Sequence, residues 1–185
     1  VGDYPADSLN VDLSIFHSVE VPKGTGENYS DGTTPLVLAN VVQTSGTPAY
    51  IMETGFRERQ GTSPFTSKTM RFEPRFGYFQ PDPNINQGRS VAISNDPRTW
   101  PDEWYDKRND PDDPGWSGFW NGFFGKAPFA DQESYVVYDD NFYDAWNYYP
   151  DNRDNTRRGL GMRIEQRGFQ WANPQAGLVI FFHYD

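Results

Sequence analysis

Residues 96–151 constrain the fold more than any other part of this chain. They hold five of its six tryptophans, Trp100, Trp104, Trp116, Trp120 and Trp146. They also hold 13 acids against 4 bases, which is −9 of a net charge of −10. A stretch this aromatic cannot lie wholly in water, and one this acidic cannot lie wholly in a core. Its rings must pack on a scaffold while its carboxylates face out, pair, or bind cations. The whole chain has 36% hydrophobic residues, and aromatics alone are 17%. Large rings compensate for scarce aliphatic residues, so the chain reads as globular despite its charge.

The same numbers exclude several classes of function. A pI near 4.6 argues against nucleic acid, because phosphate binding needs clustered Lys and Arg. With no cysteine, there is neither a disulfide framework nor a thiolate metal site. No run of about 18 apolar residues exists, so no membrane insertion is expected. At 185 residues the expectation is one β-rich domain over 1–185. The apolar run GLVIFFHYD at the end suggests a piece of a longer surface protein.

Along the chain, 11–21 alternates as a half-buried strand, with His17 on the apolar face as a core histidine. Strands are also expected over 36–42, 49–53, 90–94 and 134–138, and a broken edge strand over 70–79. An amphipathic strand from Leu160 to Arg167 is expected to turn at 169–173 into a buried strand over 178–182. Short helices are expected near 102–107 and 140–148. Helix-like aromatic spacing over 116–124 is interrupted by two glycines. Roughly seven or eight short strands with long aromatic, acidic loops give an all-β sandwich or distorted barrel. The arginines after Asp151 are expected to lie near the acidic stretch, offsetting its self-repulsion.

Three chemistries are weighed. Clustered oxygen ligands at Asp106, Asp110, Asp112, Asp139, Asp140 and Asp144 suggest calcium, which takes six to eight oxygens from flexible loops. The EF-hand pattern fails, since counting from Asp110 puts Pro114 at the fifth position and Asn121 at the twelfth. Exposed rings at Trp104, Tyr105, Trp146 and Tyr149 suggest, as the alternative reading, a carbohydrate-binding module that stacks on polysaccharide. A glycosidase needs two carboxylates across a cleft, but among so many acids some pair always looks suitable. No GxSxG, HExxH, P-loop or Cys–His signature is present, so no catalytic residue is assigned. Asn28-Tyr29-Ser30 fits the N-glycosylation sequon.

Several phrases resemble large secreted proteins of the Bacteroidota and related phyla exported by type IX secretion. These are SVAISNDPRTWPDEW (90–104), DPGWSGFWNGFFGK (113–126), ADQESYVVYDD (130–140), RRGLGMRIEQRGFQWANP (157–174) and the closing VIFFHYD. The resemblance implies an extracellular or cell-surface location. It also implies a longer chain with fibronectin-like modules and a sorting domain. In that lineage Asp-Ser/Thr-apolar tripeptides carry O-glycans, which makes Ser8 a candidate for glycosylation. The expected function is a non-catalytic structural or adhesive domain of a bacterial surface protein. Its partners would be other protein chains or copies of itself.

Overall fold

The computed structural model describes residues 19–20, 28–30, 34–54, 72–86, 89–108, 111–112, 114–144 and 146–185. The strand expected over 11–21 lies outside them apart from Val19 and Glu20, and so do His17 and Ser8. In order, the strands are β1 (Val19–Glu20), β2 (Asn28–Ser30), β3 (Leu36–Val42), β4 (Pro48–Thr54) and β5 (Glu73–Pro74). They continue as β6 (Ala92–Ile93), β7 (Gln132–Asp139), β8 (Arg163–Gln170) and β9 (Ile180–Tyr184). The described helical residues are one short α-helix, Pro83–Asn86, and two 3₁₀ turns, Pro97–Thr99 and Tyr105–Lys107. The chain is all-β, built from short antiparallel strands joined by long loops. β1 pairs with β2 and β3 with β4, while a five-stranded sheet runs β5-β7-β8-β9 with β6 also on β7.

Contacts divide the chain into two compact units, 1–73 with 139–163, and 74–138 with 164–185. In the first, β3 and β4 form an antiparallel hairpin, with Ala39 opposite Ile51 and Val41 opposite Ala49. Its turn closes through Gly46, at φ +81°, where a residue with a side chain would be strained. Alternation sorts the faces as period-two geometry requires. Ile51 and Glu53 are buried, while Leu36, Leu38, Val42, Tyr50 and Met52 are exposed on the other face.

The core of the second unit is aromatic. Tyr78, Ala92, Trp104, Trp116, Trp120, Tyr135 and Val137 form one buried cluster, with Trp100 packed against it. Trp104 meets Trp120 edge to face at 5.7 Å and Tyr78 meets Tyr135 likewise at 5.8 Å. This geometry sets a ring's positive edge against a neighbour's negative face. Two of the buried indoles find an acceptor for their N–H. Trp104 Nε1 donates to the Phe119 carbonyl at 2.9 Å and Trp120 Nε1 to Glu133 Oε2 at 2.6 Å.

Several expected elements come out differently. Only a 3₁₀ turn, Tyr105–Lys107, forms where a helix was expected over 102–107. Residues 116–124 form turns because Gly118 sits at φ +77° and breaks the helical path. Over 140–148 the described residues are turns as well. β8 begins at Arg163 and runs through Phe169, later than the expected strand. β9, expected to be buried, is largely exposed.

Candidate functional site

The most distinctive surface is built by β9 and the loops beside it in the second unit. β9 lies at one end of the sheet order, so its outer edge has no described strand on it. Glu165 and Asp185 exchange both backbone hydrogen bonds, at 2.8 and 3.0 Å. The antiparallel register continues with Arg167 opposite His183 and Phe169 opposite Phe181. Hydrogen-bonded pairs alternate along such a ladder. Residues 181 and 183 therefore spend their backbone groups on β8. The N–H and C=O of Ile180, Phe182 and Tyr184 point to the outer edge.

Beside this edge lies a continuous aromatic surface. Phe169 and Phe181 are cross-strand partners on one face. Trp171 meets Phe181 edge to face at 5.5 Å and Phe129 at 5.3 Å. Phe123 meets His183 at 5.2 Å and Phe124 at 4.8 Å. Phe124 is 74% exposed and Phe181 49%. Leu178, Val179 and Ile180 extend the apolar surface. No charged residue occurs from 168 to 184, in a chain of net charge −10. Contiguous exposed apolar surface of this kind can serve as a contact site.

The acids proposed as calcium ligands fall in both units. Asp106 and Asp112 belong to the second unit, and Asp139, Asp140 and Asp144 to the first. Asp110 lies outside the described residues. Among the described residues no three acids or histidines come together in a way that could hold a metal ion. Asp106 instead accepts from Asn121 Nδ2 on both oxygens, at 3.0 Å each. The Asn121 carbonyl in turn accepts from Arg167 Nη1 at 2.6 Å, and that guanidinium lies 3.7 Å over the Tyr135 ring. Arg167 from β8 thus meets a backbone carbonyl and an aromatic ring of its own unit. Burial, then the Asp106 and Glu165 charges, push the Tyr135 phenol far above its ordinary value. It stays neutral and donates to Glu165 Oε2 at 3.1 Å.

Asp139 accepts from the N–H and the side-chain amide of Asn141, at 3.1 and 2.9 Å. Asp140 is fully buried. Its oxygens accept the N–H groups of Leu160 at 2.6 Å and Met162 at 2.9 Å. Burial raises the Asp140 carboxyl above its usual range, while these two donors and a hydrogen bond with Glu53 pull it back. Gly159, at φ +63°, allows this approach, since a Cβ there would sit 2.4 Å from the Asp140 carbonyl oxygen. Asp144 is exposed. Asp106, Asp139 and Asp140 therefore serve as acceptors that pin loops. Sequence spacing shows only the local Asp139–Asn141 pair, because the donors to Asp106 and Asp140 are 15 to 22 residues away.

The stacking set also changes. Trp104 is 1% exposed and cannot offer a face to a sugar, because the cluster around Trp120 needs its ring. Tyr105 is 50% exposed, between the Arg75 and Arg108 guanidiniums at 5.8 and 5.5 Å. Trp146 and Tyr149 are half-buried in the other unit. Trp146 Nε1 donates to Glu53 at 3.3 Å, and Tyr149 lies under Arg158 at 4.7 Å. The apolar groups that the structure does expose together, Phe124, Phe129 and Phe181, were missed. The available signal was the uncharged run from 168 to 184. Among the described residues no helix is long and apolar enough to cross a membrane.

Compared with protein-family models, with curated proteins and with solved structures, the chain matches none.

Proposed function

We propose that this chain is a non-catalytic structural or adhesive β-module of an extracellular or cell-surface protein, and that it assembles by adding a strand to β9. The open edge of β9 carries the reading. Its outward N–H and C=O groups at 180, 182 and 184 are the template that strand addition uses. The adjoining rings of Phe124, Phe129 and Phe181 supply apolar surface for the incoming chain. The uncharged run from 168 to 184 reduces the repulsion between two copies of an otherwise acidic chain. The surface location rests on the resemblance to secreted proteins.

Sedimentation velocity across a concentration series tests this. The native chain is expected to associate, and the variants Ile180→Pro and Phe182→Lys to remain monomeric. Proline at 180 removes one outward N–H without touching a bond to β8. A native chain that stays monomeric at every concentration up to solubility overturns the proposal.

A further inference from the structure

The second unit contains a groove unrelated to the β9 edge. It is an open depression of about 380 Å³ lined by Gln80, Pro97, Arg98, Trp100, Pro101 and Asp102. We propose that this groove binds a neutral saccharide, with Trp100 as the ring platform and Gln80, Arg98 and Asp102 as the hydroxyl partners.

The platform is held before any ligand arrives. Trp100 Nε1 donates to the Ile93 carbonyl at 2.7 Å, and its ring packs on Trp120 at 5.6 Å. The indole is therefore fixed by one edge and by the core beneath it, and the rest of it lines the groove. Prolines on both sides, at 97 and 101, restrict the backbone that carries it. Little side-chain freedom is left to lose on binding, which favours affinity.

The polar groups are paired in the way that sugar hydroxyls exploit. Gln80 Nε2 donates to Asp102 Oδ1 at 3.3 Å, leaving the other carboxylate oxygen and the amide oxygen as acceptors. The amide oxygen is shared with the Asp82 N–H at 3.2 Å. Arg98 is clamped by Asp96 through Nε at 2.8 Å and Nη2 at 3.0 Å, which aims a guanidinium edge as a donor. Acceptors and donors thus stand around one apolar face, which suits a sugar ring with its CH face and rim of hydroxyls.

Other ligand classes fit less well. A phosphorylated ligand would face Asp102 and a chain of net charge −10, with the Arg98 charge already offset by Asp96 while its remaining N–H groups can still donate to a hydroxyl. A wholly apolar molecule needs a site that buries most of its surface, and this groove is open. Proline-rich peptides need several aromatic walls, whereas Trp100 is the one aromatic residue in the lining.

Affinity electrophoresis in gels containing soluble β-glucan, mannan or xylan tests the proposal, run on the native chain and on Ile180→Pro. The use of that variant separates sugar binding from any assembly through β9. At least one polysaccharide is expected to retard both proteins. Asp102→Ala and Gln80→Ala, both at groups on the groove surface, are expected to weaken retardation at least tenfold without changing the circular dichroism spectrum. Trp100→Ala is expected to abolish it, but that ring also packs on the core, so the two surface variants decide. Absence of retardation by all three polysaccharides overturns the proposal. Retardation unchanged in Asp102→Ala and Gln80→Ala also overturns it, as does displacement of the polysaccharide by a polyproline peptide.

Discussion

Glu133 offers the sharpest test of how the aromatic core is held. Its side chain is buried on β7 and accepts three N–H groups, from Trp120 Nε1 at 2.6 Å, Phe129 at 2.5 Å and Ala130 at 3.1 Å. Its own N–H is bonded to Ser94 Oγ at 2.8 Å. Glu133→Ala removes the acceptor for all three donors. Phe129 is exposed, so water can replace its bond, but Trp120 and Ala130 are buried. Each buried donor left without a partner costs roughly 1–3 kcal/mol. Two of them together cost about 4 kcal/mol, out of the ~5–15 kcal/mol that stabilises a typical domain. For a chain of this length that corresponds to a fall of about 8–16 °C in Tm. Glu133→Gln keeps the shape but turns an NH₂ toward at least one donor, so it should lose roughly half as much. Urea unfolding followed by tryptophan fluorescence measures the difference, and near-ultraviolet circular dichroism reports whether the Trp100–Trp104–Trp120 cluster has loosened. A loss below about 1 kcal/mol for Glu133→Ala would refute the view that this carboxylate holds the indole in place.

Two further outcomes are expected. Gly122→Ala should be severely destabilising, because its Cβ would stand 2.4 Å from the Ala127 carbonyl oxygen and 2.7 Å from that of Gly125. Overpacking against backbone costs at least about 1–3 kcal/mol, and urea unfolding of the variant should show a midpoint well below the native one. Calcium binding remains a proposal that differential scanning calorimetry decides: a Tm raised by millimolar calcium supports it, and identical melting in calcium and chelator rejects it.

The sequence by itself determined that the chain is all-β, because short apolar, β-branched runs are bounded by turn residues. Leu36–Val42 is such a run, and the hairpin over 36–54 forms around Ser45-Gly46, but the structure exposes Leu36 and Leu38, so the run did not fix which face is buried. It also determined that most rings between 96 and 151 must pack on a scaffold, as Trp104, Trp116 and Trp120 do. Which rings go inside was settled only in three dimensions. Trp104 and Tyr105 are adjacent in sequence, yet one is in the core and the other is exposed. The fates of the acids were settled there too, since Glu133 and Asp140 look like any surface carboxylate until the fold brings buried N–H groups to them. The open edge of β9 and the groove at Trp100 follow from the same cause. Periodicity is a property of neighbouring residues, whereas burial, pairing and edges depend on which distant segments the tertiary structure places side by side.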